Sequence, residues 1–153
     1  DKKDAVEHQV VVDYLAETLG RLSGDVVVGE RSVRTTATLH HLHSPVAATV
    51  GAQASVLSNI HPTPALAGFP TQEAVAWLAE HEPFDRGWYG GAIGVVTKDE
   101  TCFAVAIRSA LALPDRTYVY AGAGIVATSE CETEWDEITH KRDAIVRRFG
   151  AAS

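Results

Sequence analysis

The sequence predicts an α+β fold, an antiparallel sheet flanked by helices. Three observations carry this. Apolar residues at helical spacing open the chain, from Ala5 to Leu22. Three strand-like runs, 92–97, 103–112 and 117–127, follow one another at hairpin distance. A final helix, from about residue 132 to 149, closes the chain.

Taken in order, Ala5, Val6, Val10, Val11, Tyr14, Leu15, Leu19 and Leu22 define the first helix, which Asp4 can start and Ser23-Gly24 ends. Val26-Val27-Val28 reads as a strand. Residues 32–50 are rich in Thr, Val and Leu with no helical period, so they read as one or two strands broken near Pro45. Residues 51–59 suit a short helix. His61-Pro62-Thr63-Pro64 does not, because proline lacks an N–H and pushes the preceding residue to extended geometry. Gly68-Phe69-Pro70 continues that loop. Thr71 is placed to cap a helix that runs to about His81, where Pro83 stops it. Turns at Asp99-Glu100 and Pro114-Asp115 separate the three later strands. There is no internal repeat and no low-complexity linker, so 1–153 reads as part of one domain.

At 153 residues the chain can bury a real core, roughly 68–70% of its unfolded surface. Hydrophobic residues make up 46% and charged residues 22%, with 12 Gly and 6 Pro, which excludes disorder, collagen-like repeats and coiled coil. The net charge of −7 argues against non-specific nucleic-acid binding, which needs clustered Lys and Arg. It leaves room for an anionic small ligand, because a local field can oppose the net charge. Cys102 and Cys131 lie far apart with no Cys-x-x-Cys, so free thiols in the cytoplasm are expected. No segment approaches the roughly 20 apolar residues of a membrane span, and no membrane partner is expected. The charged start, Asp1-Lys2-Lys3-Asp4, is not a signal-peptide core. The complete lack of Met suggests a piece of a longer chain or a processed one.

Four features can carry chemistry. Asp4 and Glu7, and Glu134 and Glu137, are acids three apart at helix starts, so each pair shares a face. Facing one another they would offer oxygen ligands to Mg²⁺; the alternative is that acids favour helix N-termini through the macrodipole. Tyr120-Ala121-Gly122-Ala123-Gly124 places glycines in a strand, which marks a bulge or a backbone that approaches a ligand. On a strand, His41 and His43 share a face opposite His40, as pocket or structural histidines; a zinc site would need further ligands. Arg108, flanked by apolar residues in a strand, needs an anionic partner, either an internal acid or a carboxylate ligand. Lys141 lies one turn beyond Glu137. Arg147 and Arg148 suit a solvated helix C-terminus.

Together these segments resemble one family. His61-Pro62-Thr63-Pro64-Ala65-Leu66-Ala67-Gly68-Phe69-Pro70 resembles the loop of isochorismate synthases, within the wider chorismate-binding enzymes. So do Glu82-Pro83-Phe84-Asp85-Arg86-Gly87-Trp88-Tyr89-Gly90-Gly91, Ala106-Ile107-Arg108-Ser109-Ala110 and Ala121-Gly122-Ala123-Gly124-Ile125-Val126. The stretch from Glu134 through Glu137 to Lys141 is similar to the family's terminal metal-binding helix, and Asp4 through Glu7-His8 to Val12 to its partner helix. Six blocks in order cover nearly the whole chain. Pro64-Ala65-Leu66 and Pro83-Phe84-Asp85-Arg86 favour the isochorismate branch over the anthranilate type, which usually carries a Thr-x-Ser-Gly-x-Pro pattern.

The resemblance implies the C-terminal part of a chorismate-binding fold and an Mg²⁺-dependent conversion of chorismate to isochorismate. Glu7 and Glu137 would ligate the metal, which holds the ring carboxylate. Asp4 and Glu134 would hold metal-bound water, Asp4 departing from the more usual Glu. Arg108 and the amides around Gly122 and Gly124 would bind the pyruvyl carboxylate. Lys141 would add a second cation, His41 matches a pocket histidine, and Ala65, Leu66, Tyr89 and Ile107 would shape the wall. Electrostatic fixing of two carboxylates orients the ring for attack.

In the family, a lysine base activates the attacking water and a glutamate acid protonates the departing hydroxyl. Both lie upstream of the first helix, so no catalytic acid or base is expected in this chain, and it is expected to be inactive alone. Other readings are a non-catalytic binding or assembly module on the same half-fold, and a salicylate- or anthranilate-type enzyme. Menaquinone, siderophore and salicylate synthesis are all compatible destinations. Surface left uncovered by truncation predicts a homo-oligomer.

Overall fold

The computed structural model describes residues 2–35, 40–51 and 56–148. Among them every strand ladder is antiparallel and helices flank the ladders, so the fold is α+β. The chain forms two compact units, 1–82 and 83–153.

The first unit is organised by α1 (Lys2–Leu22). It starts two residues before Asp4. Val12 and Thr18 are buried on its inner face, and α1 packs on β1 (Val26–Val28), β3 (His40–His43) and β4 (Val46–Ala48). It also packs on the short helices α2 (Val56–Ile60) and α3 (Pro64–Ala67). Ser23 ends α1: its amide bonds the Leu19 carbonyl at 2.9 Å, and its Oγ exchanges hydrogen bonds with the Asp25 backbone.

β1 pairs with β4, Val27 opposite Ala47, and β2 (Ser32–Thr35) pairs with β3, Arg34 opposite His41. The break expected at Pro45 is where the chain leaves one ladder for the other. The Gly29 amide still reaches the Pro45 carbonyl at 2.8 Å. A Cβ on Gly29 would lie 2.5 Å from Pro45 Cγ, so this approach requires glycine. Residues 36–39 of the expected strand run and 52–55 of the expected short helix lie outside the described residues.

Two expectations change here. Pro64 belongs to a helix, as the first residue of α3, where its missing N–H has no partner to lose. Thr71 does not cap α4 (Thr71–His81). Pro70 holds the cap position in extended geometry, and the first helical hydrogen bond runs from the Ala74 amide to the Pro70 carbonyl, at 3.0 Å. Thr71 is already inside the helix. Pro83 follows its end, as expected.

Among its described residues the second unit holds four strands, not three. β5 (Ala92–Val96) pairs with β6 (Thr101–Val105), and β7 (Ser109–Ala112) pairs with β8 (Thr117–Tyr120). The expected run 103–112 breaks at 106–108. The Ala106 amide and carbonyl are taken by Gly91 and Gly90 at 2.8 and 2.9 Å, and the Ile107 amide turns back to the Val105 carbonyl. Arg108 then adopts φ 49, in the left-handed region. The expected run 117–127 stops at Tyr120, and the glycine segment leaves the sheet. α5 (Cys131–Arg148) packs on β8, with Glu134 and Ile145 buried. Phe149, expected in this helix, lies outside the described residues. Both faces of the β5–β6 hairpin are exposed, including Ile93, Val95, Phe103 and Val105.

Gly94 sits in β5 opposite Phe103, and a Cβ there would fall on the Cys102 carbonyl oxygen and 2.8 Å from Phe103 Cα. Gly94→Ala should therefore cost about 1–3 kcal/mol of stability by overpacking. Gly24→Ala, with nothing within 4 Å of its Cβ, should stay within about 0.5 kcal/mol. Urea unfolding of the two variants checks the contrast.

Candidate active site

The first unit carries Asp4, Glu7, His41, Ala65 and Leu66. Glu7 is half-buried on α1. Its Oε1 is shielded from water, lies 3.3 Å from Lys3 Nζ, and accepts no hydrogen bond of good geometry among the described residues. A buried carboxylate oxygen in that condition is costly unless a cation completes its shell. Asp4 is exposed one turn earlier. His41 is half-buried on β3, and Leu66 half-buried on α3; Ala65 is exposed. Since β3 and α3 both pack on α1, Glu7, His41 and Leu66 stand on mutually supporting elements.

His8, next to Glu7, shares a 3.0 Å hydrogen bond with Ser44. Burial holds its imidazole below the ordinary 6.5, and the charges of Arg31 and His43 push the same way. This contact joins residues 36 apart in sequence, and spacing arguments gave no sign of it.

The second unit gathers Tyr89, Gly122, Glu137 and Lys141. Lys141 Nζ donates to the Gly122 carbonyl at 2.9 Å and to Glu137 Oε1 at 2.5 Å. The Glu137–Lys141 pair is one helical turn apart and half-buried. Tyr89 stacks on Tyr120 with ring centroids 5.8 Å apart. Tyr120 was not among the expected site residues; its place two residues before Gly122 is the only sequence signal. Glu134 is buried three residues before Glu137, and Gly124 is half-buried. Arg108 is not in a strand, as its apolar neighbours suggested. It occupies the break between β6 and β7, half-buried, beside the exposed Ile107.

Among the described residues no group of three or more His, Cys, Asp or Glu is gathered as a metal site. Magnesium can be held by one or two carboxylates with water and substrate completing the shell. The shielded Oε1 of Glu7 fits such a cation. Cys102 and Cys131 are free and exposed. No described helix is long and apolar enough to cross a membrane.

The second unit thus sets Arg108, a glycine segment held by Lys141 and the helix-borne carboxylates Glu134 and Glu137 on one helix-flanked antiparallel unit. The chorismate binding enzyme family profile matches residues 1–150, and the chain belongs to that family. It is 37% identical over 97% of its length to isochorismate synthase MenF of Haemophilus influenzae, covering 35% of that protein. It is 35% identical over 97% to the salicylate biosynthesis isochorismate synthase of Pseudomonas aeruginosa, covering 32%. The crystal structure of a Bacillus anthracis protein, DhbC, assigned as a 2,3-dihydroxybenzoate-specific isochorismate synthase, superposes with a TM-score of 0.86 at 31% identity. That match covers 98% of this chain and 42% of the other. The chain thus spans about a third of the length of the curated relatives it matches.

Because the folded pKa of His8 lies below the unfolded value, the unfolded state binds more protons between the two. The His8 contribution to stability is present above 6.5 and is lost as pH falls from there toward the folded value. His8→Gln should flatten the pH dependence of urea unfolding below pH 6.5.

Proposed function

We propose that the whole protein carrying this chain is an isochorismate synthase. Water adds to the chorismate ring and the 4-hydroxyl departs as water, so the net change is an isomerisation. The observation that supports this best is the cluster of Tyr89, Gly122, Glu137 and Lys141 around one glycine segment. It coincides with residues that the family resemblance assigns to substrate and metal. The isochorismate synthase relatives add weight.

In this reading, which follows the family resemblance, Glu7 and Glu137 would be the carboxylate ligands of Mg²⁺, and Asp4 and Glu134 would hold its water. Bound magnesium would supply a positive charge for the ring carboxylate of the substrate. Arg108 and the amides around Gly122 and Gly124 bind the pyruvyl carboxylate. Arg108 offers a fork of N–H donors that matches a carboxylate bidentately. Lys141 holds Glu137 and the glycine segment in place and adds positive charge beside them. His41, Ala65, Leu66, Tyr89 and Ile107 form the wall. The general base and acid come from the rest of the protein. The free, exposed thiols Cys102 and Cys131 suit a reducing cytoplasm.

The whole protein should convert chorismate to isochorismate with a requirement for Mg²⁺. Salicylate or anthranilate as the product would overturn the assignment. Arg108 sits at φ 49, which costs a non-glycine residue on the order of 1 kcal/mol. Arg108→Gly should therefore retain or gain stability by up to about 1 kcal/mol while KM for chorismate rises at least about tenfold. Unchanged KM would remove Arg108 from the carboxylate site.

The isolated chain is proposed to be inactive and to self-associate through the exposed apolar faces of the β5–β6 hairpin, where Ile93 is 62% and Val95 65% exposed. Light scattering of the isolated chain should give more than the monomer mass, and assay should give no turnover. A monomer at high concentration counts against the first point, and measurable turnover against the second.

A further inference from the structure

The glycine segment that follows β8 is held from two directions. On one side, Lys141 Nζ donates to the Gly122 carbonyl at 2.9 Å while paired with Glu137. On the other, the Tyr89 hydroxyl stands against Gly122, where a Cβ would lie only 2.8 Å from Tyr89 Oη and 3.9 Å from Cζ. Gly122 does not have positive φ. Its lack of a side chain is thus a matter of space and not of backbone conformation.

Tyr89 cannot easily swing away from that contact. Its ring stacks on Tyr120 at an interplanar angle of 16°. Its backbone is tied by the Tyr89 amide to the Arg86 carbonyl at 2.9 Å, and the next residue, Gly90, bonds the Ala106 carbonyl at 2.9 Å. Tyr120 is itself the last residue of β8, paired across the ladder with Ser109. The stack therefore carries the position of two strands into the glycine segment.

We propose that the stacked pair Tyr89–Tyr120, acting with Lys141, braces the backbone of residues 121–124 and so positions its amides for an incoming carboxylate. This rests on the chorismate reading and adds positioning residues to it. Amides that receive an anion act best when their direction is set before the ligand arrives, since no reorganisation is then needed. Tyr120 is a positioning residue and touches no substrate in this account.

The test is a double-variant cycle in the whole protein. Gly122→Ala should raise KM for chorismate on the order of tenfold through the contact with Tyr89 Oη. In a Tyr89→Phe background, where the nearest atom is Cζ at 3.9 Å, the same substitution should cost less than about threefold. Tyr120→Leu should raise KM with a smaller effect on kcat, and Tyr120→Phe, which keeps the ring stack, should recover most of that loss. Equal cost of Gly122→Ala in both backgrounds would overturn the brace. Coupling seen in thermal stability with no coupling in KM would overturn its positioning role. Absence of turnover by the wild-type protein would sink the proposed reaction instead. The cycle is then read in stability alone, where coupling supports the brace and additivity overturns it.

Discussion

The Lys141 ammonium group is the point on which the second unit's site depends. It joins α5 to the segment after β8 through the Gly122 carbonyl, and it holds Glu137 on its own helix. The spacing of four residues alone would mean little. Arg21 and Glu17 have the same spacing on α1, but both are more than two-thirds exposed, and such pairs contribute only about 0.3–0.5 kcal/mol. Lys141 and Glu137 differ in being half-buried with a third, backbone partner. Partial loss of water strengthens the pairing and also makes it costly to leave any member alone. Position and charge are therefore set together.

The same logic reconciles the proposed binding of a dianion with an acidic chain. A net charge of −7 describes the far field. In the proposed site a ligand responds to local groups: a guanidinium at Arg108, an ammonium at Lys141 and the backbone amides after β8. The strained backbone of Arg108 fits this account. Strain at a non-glycine residue persists only where its surroundings impose it, and here the Gly90, Gly91 and Ala106 hydrogen bonds bend the chain just before it.

Much of the local structure was legible along the chain. The helical period from Ala5 to Leu22, the valines of β1, the turns after Val96 and Ala112, and the stop at Pro83 all rest on neighbours in sequence. So does the pairing of Glu137 with Lys141. Most of the misses share one cause, contact between segments distant in sequence; Thr71 is the exception, displaced by its neighbour. The run 103–112 reads as one strand because Ala106, Ile107 and Arg108 do not break its composition, yet Gly90 and Gly91 capture Ala106 from outside. Thr71 is a good capping residue, but Pro70 supplies the carbonyl for the first helical bond. His8–Ser44 and Tyr89–Tyr120 join positions 36 and 31 apart (120 − 89), and no periodicity encodes such pairs.

The sequence by itself determined the α+β class, the order of most elements and the family to which the chain belongs, because these follow from local propensity, periodicity and six ordered blocks. Tertiary structure decided where the middle strand breaks, that Arg108 lies in the break, and that Tyr89 and Lys141 converge on Gly122. The physical reason is that each of these depends on hydrogen bonds or close contacts between segments far apart in the chain. Whether a glycine is needed for its conformation or for its neighbour's space is such a question: at Gly122 the answer is the hydroxyl of Tyr89.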